Sequence, residues 1–212
     1  MRLRRRFAVP FVALAFALAS RSASAQRLPP WRIEAEGGLT GILTAPQSDQ
    51  YGLGGTGSVR FRLRMAGPLG LHVALGGSGW SAGGGRTATT SLIGGGIGVH
   101  FMPRLGPGYL LAEVGIGLGS SGAQWPGESM ARIGLVMDAG VGYLVRATPS
   151  MDVGPVVRLA DAHQLSGSSN TRSDLGFWSL GVTFSFHPAE RVAPAPVAVS
   201  YTHLTLPTNR EV

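Results

Sequence analysis

Cysteine and lysine are both absent from this chain of 212 residues, and charged residues make up only 14% of it. Without cysteine the chain forms neither a disulfide nor a thiolate metal site, which is compatible with export to an oxidising compartment without requiring it. Ordinary domains are about a quarter charged. The low charge content therefore disfavours a protein whose whole surface is solvated by water.

A long hydrophobic run is lacking as well. The apolar stretch from Phe7 to Ala19 is shorter than the roughly 20 residues that a bilayer-spanning helix needs. It follows a cluster of arginines and precedes Ala23-Ser24-Ala25, and these three regions in this order are typical of a secretory signal. We therefore predict a cleaved signal peptide over residues 1–25, with the mature chain beginning near Gln26.

The excess of positive charge is small once the predicted signal is removed. Between Gln26 and Ala198 there are twelve arginines and ten acidic residues, which leaves a net charge of +2. A nucleic-acid partner would require a clustered basic footprint. We therefore expect no nucleic-acid partner, and the remaining length suits one domain.

The chain is instead rich in glycine, with 33 residues, and in segments that alternate apolar residues with small or polar ones. The segment from Leu175 is the clearest, because every second residue from Trp178 to Phe186 is large and apolar. Such alternation predicts β-strands. The predicted strands are Trp31–Ile42, Leu53–Met65, Leu71–Gly77, Thr89–Met102, Tyr109–Gly119, Met130–Val145, Met151–Leu159 and Leu175–His187.

The links between these segments are alternately short and long, which is typical of an up-and-down transmembrane β-barrel. The fold prediction is therefore all-β, with eight antiparallel strands over residues 26–187. Glycine on the second face, as at Gly94 and Gly96, suits the interior of a narrow barrel, so the uncharged apolar faces should point to lipid. The alternative is a soluble periplasmic lipid-binding barrel, in which the apolar faces would surround a ligand.

Bulky aromatic residues mark one end of the predicted strands. They fall where the short links and both termini lie, which in outer-membrane barrels is the periplasmic end. Aromatic residues concentrate at membrane interfaces. The predicted aromatic girdle consists of Trp31, Phe101, Tyr143, Phe184 and Phe186.

Charged residues fall on the interior face of the predicted strands. Six are positive and five are negative, and buried charges must be paired. The strand map sets Glu34 near Arg62 and Glu36 near Arg60. We predict a salt-bridged lumen that fills the barrel, the alternative being a small gated ion pore in which arginines exchange partners. The predicted lumen network is Arg32, Glu34, Glu36, Arg60, Arg62, Arg64, Glu113, Arg132, Asp138, Asp152 and Arg158.

The topology, the signal and the aromatic-ended last strand together resemble the small eight-stranded outer-membrane barrels of the OmpA/OmpX-like kind. The resemblance implies location in the Gram-negative cell envelope. It implies as partners outer-membrane lipids, the barrel-assembly machinery and surface ligands held by four loops. One departure is that Phe186 is followed by a Pro/Ala-rich segment over 188–198, which we interpret as a linker of the kind that joins a periplasmic domain in larger members.

The last residues do not fit this pattern. The run Val199-Ser200-Tyr201-Thr202-His203-Leu204 resembles the conceptual translation of a transposon end used in sequencing libraries. We interpret 199–212 as a non-native read-through tail, with a natural tail as the alternative.

Two motif matches point to enzymes but lack the required context. Residues 79–83 fit the G-x-S-x-G nucleophile elbow, with His163 as the following base, yet a glycine run replaces the helix that the elbow needs. Residues 52–57 fit the dinucleotide fingerprint but lead into a strand. In a glycine-rich chain both matches are expected by chance.

His72 and His100 share the interior parity and are predicted to meet in the lumen. With neighbouring carboxylates they offer a metal site, or they act in a lipopolysaccharide-modifying barrel enzyme. Known barrels of that kind place the histidine beside a serine near the outer leaflet, whereas both histidines map near the periplasmic end. We therefore expect a hydrogen-bonding role for them, and no catalytic residue, cofactor or metal.

The sequence thus predicts an outer-membrane barrel with a structural, membrane-anchoring or adhesive role. Three aromatic residues, Tyr51, Trp80 and Trp125, fall in the predicted long loops. They either anchor a surface partner or fold back onto the barrel rim.

Overall fold

The computed structural model describes residues 29–45, 47–82, 89–125, 128–165 and 174–189. The predicted signal peptide, nearly all of the predicted linker and the predicted tail lie outside these residues. Within them, no helix is long and apolar enough to cross a bilayer.

Nine β-strands and one short 3₁₀ turn make up the described chain. The turn spans Gln47–Asp49. The strands are β1 Trp31–Ile42, β2 Tyr51–Ala66, β3 Leu69–Ala82, β4 Thr89–Phe101, β5 Arg104–Leu105, β6 Gly108–Trp125, β7 Glu128–Thr148, β8 Met151–Gln164 and β9 Leu175–Phe186.

The eight long strands close into one antiparallel barrel. Strand β1 pairs with both β2 and β9, and β4 pairs with β6, so the ring has no free edge among its long strands. The two-residue β5 only forms a hairpin with the start of β6. Closure pairs the backbone N–H and C=O groups between strands, which a lipid environment requires. The predicted eight-stranded up-and-down fold is confirmed.

Short turns join β2 to β3, β5 to β6 and β7 to β8 at the end of the barrel where both termini lie, here called the turn end. Gly67 and Gly106 have positive φ angles of 53° and 59° in two of these turns, a backbone region that glycine enters without steric cost. The opposite end, where the links from β1 to β2, from β3 to β4 and from β8 to β9 are longer, is here called the loop end.

Several strands continue further toward the loop end than the sequence predicted. Strand β3 ends at Ala82 rather than Gly77, and β6 ends at Trp125 rather than Gly119. The apolar alternation stops at glycine and serine, whereas the backbone ladder continues past it. Trp80 was predicted in a loop, and this is wrong, because it lies in β3 with its side chain 2% exposed inside the barrel.

The outer face of the barrel carries an apolar belt. Ile93, Ile97 and Leu75 are between 64% and 69% exposed, although side chains of this size are normally withdrawn from water. On β7 the outward apolar residues run from Ile133 to Val145, about 40 Å along the strand and so about 30 Å along the barrel axis at the usual tilt. That height matches the hydrocarbon core of a bilayer.

Three layers of side chains fill the interior. Apolar residues near the loop end pack around Trp80 and Phe177, whose rings meet edge to face at 5.3 Å. A second apolar group near the turn end is built on Leu111 and Leu144. Charged side chains occupy the space between them, and further charged side chains lie beside the second group at the turn end. The soluble-carrier alternative is therefore wrong, because the interior is charged and the large apolar faces point outward.

Candidate functional site: the charged lumen

Glu113 on β6 lies at the centre of the lumen and contacts three arginines. Arg62 and Arg158 each approach its carboxylate directly, and the Nε atom of Arg60 lies 3.5 Å from Oε1. The Glu113 side chain is fully buried. One carboxylate therefore joins guanidinium groups from two sides of the barrel, β2 and β8.

Glu36 on β1 forms a second junction in the same layer. Arg158 donates to it from Nε at 2.9 Å and from Nη2 at 2.6 Å, and Arg60 donates from Nη1 at 3.0 Å. The Thr183 hydroxyl adds a longer contact of 3.4 Å. Charge-assisted, forked contacts of this kind are among the strongest hydrogen bonds in proteins.

Glu34 completes the layer through Arg62, whose Nε lies 2.7 Å from Oε2. The backbone register places the Cα of Glu34 opposite that of Arg60, so the contacts to Arg62 and from Glu36 to Arg60 run diagonally. We call Glu34, Glu36, Arg60, Arg62, Glu113, Asp138 and Arg158 the central ion cluster.

Asp138 on β7 is the least engaged member of the central ion cluster. Its Oδ2 atom lies 3.8 Å from Nη1 of Arg158, too far for a hydrogen bond. It borders a cavity of about 120 Å³, which Glu36, Arg60 and His72 also line. A volume of that size holds several water molecules. The cluster has four carboxylates and three guanidinium groups, so it carries one excess negative charge when all are ionised.

A second group of charges lies at the turn end, here called the turn-end ion cluster. Asp152 is fully buried and contacts Arg32 at 2.5 Å, His187 at 3.3 Å and Arg146 at 3.4 Å. The guanidinium of Arg32 also lies 5.0 Å above the ring of Tyr109, within the range of a cation–π contact.

Sequence reasoning missed Arg146 and His187 as members of this group. Arg146 is the next residue of β7 on the interior face after Leu144, but the predicted strand ended at Val145. His187 was assigned to a strand interior without a partner. Extending the predicted strand by one residue would have found Arg146, whereas His187 was already on the interior face and lacked only a partner.

Two predicted network members lie apart from these clusters. Arg132, toward the loop end, donates to Gln164 at 2.8 Å. Arg64 lies half-buried near the turn end, where its backbone N–H donates to Pro30.

Glycine on the facing strands leaves room for the long interior side chains. A Cβ atom added at Gly140 would lie 2.6 Å from Nη1 of Arg158. Gly98 and Gly70 stand opposite His72 and His100 in the β3–β4 register, and a Cβ at either position would lie 2.5 Å from the facing imidazole. At Gly70 and Gly98 the facing ring and a backbone carbonyl of the neighbouring strand together occupy the space of the missing side chain.

The five predicted girdle aromatics all lie on the outer face at the turn end. Trp31 and Ile33 begin β1, while Phe184 and Phe186 end the neighbouring β9. Phe101 ends β4, and the Tyr143 hydroxyl donates to the carbonyl of Leu105 in the adjacent turn at 2.7 Å. The five aromatic rings therefore lie around the turn-end rim of the apolar belt.

The enzyme motifs do not form sites. Ser81 lies on the outer face of β3, and His163 lies on β8, which is the strand diametrically opposite in the ring of eight. His163 instead pairs with Asp174 at 2.7 Å on the exposed rim. Residues 52–57 lie within β2, so no helix N-terminus follows the glycines.

Across the described ranges, no group of three or more His, Asp and Glu side chains is arranged to hold a metal ion. His72 and His100 do meet in the lumen, with ring centroids 6.1 Å apart.

The geometry defines a class, the small eight-stranded outer-membrane β-barrel, and comparison with known structures agrees with it. The barrel of neisserial surface protein A superposes with a TM-score of 0.59 at 12% identity, covering 74% of this chain and 97% of that one. Ail of Yersinia pestis (TM-score 0.48, 14% identity, 75% and 100% covered) and a major outer-membrane protein of Thermus thermophilus (0.45, 17%, 76% and 100%) are also similar. No family model and no curated protein sequence matches the chain. The likeness at these identities shows the fold, and function has to be argued from the site.

Proposed function

We propose that this protein is exported to the bacterial outer membrane, where it serves as a structural, anchoring or adhesive barrel. The observation that carries the proposal is the division of the two faces. The outward strand positions form an uncharged belt about as tall as a bilayer core, and the lumen is filled by paired charges between two apolar layers.

In this proposal the ion pairs of the lumen hold the strands of the barrel together. Arg158 on β8 binds Glu36 on β1 and Glu113 on β6, while Arg62 on β2 binds Glu34 and Glu113. Most of these contacts cross the barrel between strands that are not neighbours in the sheet. Together with the backbone hydrogen bonds, these ion pairs resist flattening of the barrel. The loop end takes no part in them and is free to present a surface.

Buried apolar side chains toward both ends of the lumen support this role over a pore. Trp80 and Phe177 are buried near the loop end, and Leu111 and Leu144 are fully buried near the turn end. The cavity beside Asp138 is the one observation that favours the ion-pore alternative, since it gives the central ion cluster space in which to rearrange.

The test is to express the full chain in a Gram-negative host and then to purify the barrel in detergent. We expect it in the outer-membrane fraction, with the mass of a mature chain that begins near Gln26. Its gel mobility should change on boiling, and planar bilayers containing it should show no stepwise conductance. Recovery as a soluble periplasmic protein would contradict the location, and reproducible conductance steps would favour the ion pore.

A further inference from the structure

Three arginines and a histidine line a narrow cleft at the turn end of the lumen. They are Arg32 on β1, Arg62 and Arg64 on β2, and His100 on β4. No carboxylate among the described residues lines the same cleft. Arg32, Arg62 and His100 are 3%, 1% and 6% exposed, so the protein holds these groups in place. The lining attracts an anion and repels a cation, and we call it the turn-end basic cleft.

Three buried nitrogen atoms of these side chains have no hydrogen-bond partner among the described residues. Arg32 binds Asp152 through Nη1, and its Nη2 atom is unpartnered. Arg62 approaches its two glutamate partners through Nε and Nη2, and its Nη1 atom is unpartnered. Nδ1 of His100 also lacks a partner. A guanidinium has donors and no acceptor, and a buried donor without a partner costs free energy. These atoms therefore require an acceptor that the side chains around them do not supply.

The turn end as a whole carries an excess of positive charge. Beyond the central ion cluster, its charged side chains in the described ranges are Arg32, Arg64, Arg104, Arg146 and Asp152. Four are positive and one is negative, and this excess outweighs the single excess negative charge of the central ion cluster. Arg64 is half-buried and forms no ion pair with any residue that the structure describes. An anion in the cleft would therefore reduce the repulsion among these arginines.

The dimensions of the cleft favour a small oxyanion. The enclosed space is about 10 Å³, which is room for about one atom of the size of a water oxygen. One oxygen of a tetrahedral oxyanion fits there, while its other oxygens stay at the partly open side of the cleft, which Arg64 lines. The forked N–H groups of a guanidinium match the oxygens of phosphate better than they match a spherical ion.

We propose that the turn-end basic cleft binds one oxyanion of phosphate chemistry, either free inorganic phosphate or the phosphate of a lipid headgroup. Trp31, a girdle residue on the outer face, also lines the cleft, so a headgroup at the rim of the apolar belt lies beside it. This inference goes beyond the structural role proposed above and does not depend on it, because the site requires only the folded barrel.

The experiment uses the refolded, isotope-labelled full chain in micelles of an uncharged sugar detergent. Inorganic phosphate is titrated in one arm and dihexanoyl phosphatidic acid in the other, with dihexanoylglycerol as the lipid that lacks the phosphate. Binding is read by NMR from saturable shifts of the backbone amide signals of Arg64 and His100 and of the indole N–H signal of Trp31. Saturation by inorganic phosphate would support a site for the free ion, and saturation by the phosphatidic acid alone would support a site for the headgroup.

Two variants test the cleft and a third controls for net charge. Arg64→Gln removes a half-buried charge that has no ion pair, and Arg32→Lys keeps a positive charge beside Asp152 but removes the second terminal nitrogen. Each should weaken phosphate binding about tenfold or more, the value of a hydrogen bond to a charged group. Arg104→Gln removes an exposed positive charge from the same end of the barrel, outside the cleft, and should change the affinity by less than about twofold. The boiling-dependent gel shift shows separately that each variant is folded.

Three results would overturn the assignment. They are absence of saturable binding in both arms, as expected if a water molecule occupies the cleft, equal weakening by Arg64→Gln and Arg104→Gln, as expected for a diffuse attraction, and tighter binding of chloride than of phosphate. Because folding is read from the gel, failure of the anion site and failure of the proposed function are distinguishable.

Discussion

Replacing Glu113 with glutamine is expected to lower the free energy of unfolding by about 1 to 3 kcal/mol, the usual cost of leaving buried hydrogen-bonding groups without a partner. Glu113 contacts Arg60, Arg62 and Arg158, and all three guanidinium groups are at least nine-tenths buried. The glutamine side chain keeps the volume and removes the charge. All three arginines retain glutamate partners at Glu34 or Glu36, so we expect loss of stability with the fold retained.

The measurement is urea unfolding of the barrel in lipid vesicles, followed by the boiling-dependent gel shift. Asp161→Asn, a matched change from carboxylate to amide at an exposed position on β8, should change the free energy of unfolding by less than about 0.5 kcal/mol. An equally small effect at Glu113 would mean that the central ion cluster does not hold the barrel together.

The second large effect is expected on the outer face. Ile97 is 64% exposed and lies midway along the outward apolar positions of β4, from Ile93 to Phe101. If this face meets lipid, Ile97→Arg should cost about 2 to 4 kcal/mol, as a charge at the bilayer midplane does. In a water-exposed face the same change would be nearly neutral.

Ser91 supplies the control for this change because it is exposed on the same face of the same strand, nearer the loop end. Ser91→Arg should cost no more than about 1 kcal/mol, the value for positions near the interface. Folding yield into vesicles and the urea midpoint give both numbers. Equal costs for Ile97→Arg and Ser91→Arg would show that the two positions do not lie at different depths in a membrane.

The alternation of apolar residues was sufficient to predict the fold. In β9 every second residue from Leu180 to Phe186 points outward, and the period of two leaves little freedom in assigning faces. Because parity also assigns the inner face, it places Glu34, Arg62 and Glu113 in one lumen. The diagonal pairing of Glu34 with Arg62 followed from counting residues from a shared end.

Strand ends and the inner apolar layers could not be predicted in the same way. Outside the apolar belt, the outward side chains no longer have to be apolar. The continuation of β3 to Ala82 therefore leaves no apolar alternation in the sequence. Leu111 and Leu144 alternate in step with charged interior residues, and only the packed structure shows that they form an apolar cluster inside the barrel. The unpartnered nitrogens of His72 and His100 likewise depend on what surrounds each ring, which no local pattern encodes.

Single-cysteine scanning along β7 tests most directly whether apolar side chains face lipid and polar ones face the lumen. The natural chain has no cysteine, so a spin label can be placed singly at each residue from 131 to 145 in barrels folded into bilayers. We predict that collision with oxygen dissolved in the lipid alternates with a period of two, high at odd positions such as Ile133, Met137 and Val141 and low at even ones such as Asp138. Reversed parity, or accessibility that does not alternate, would contradict the membrane barrel.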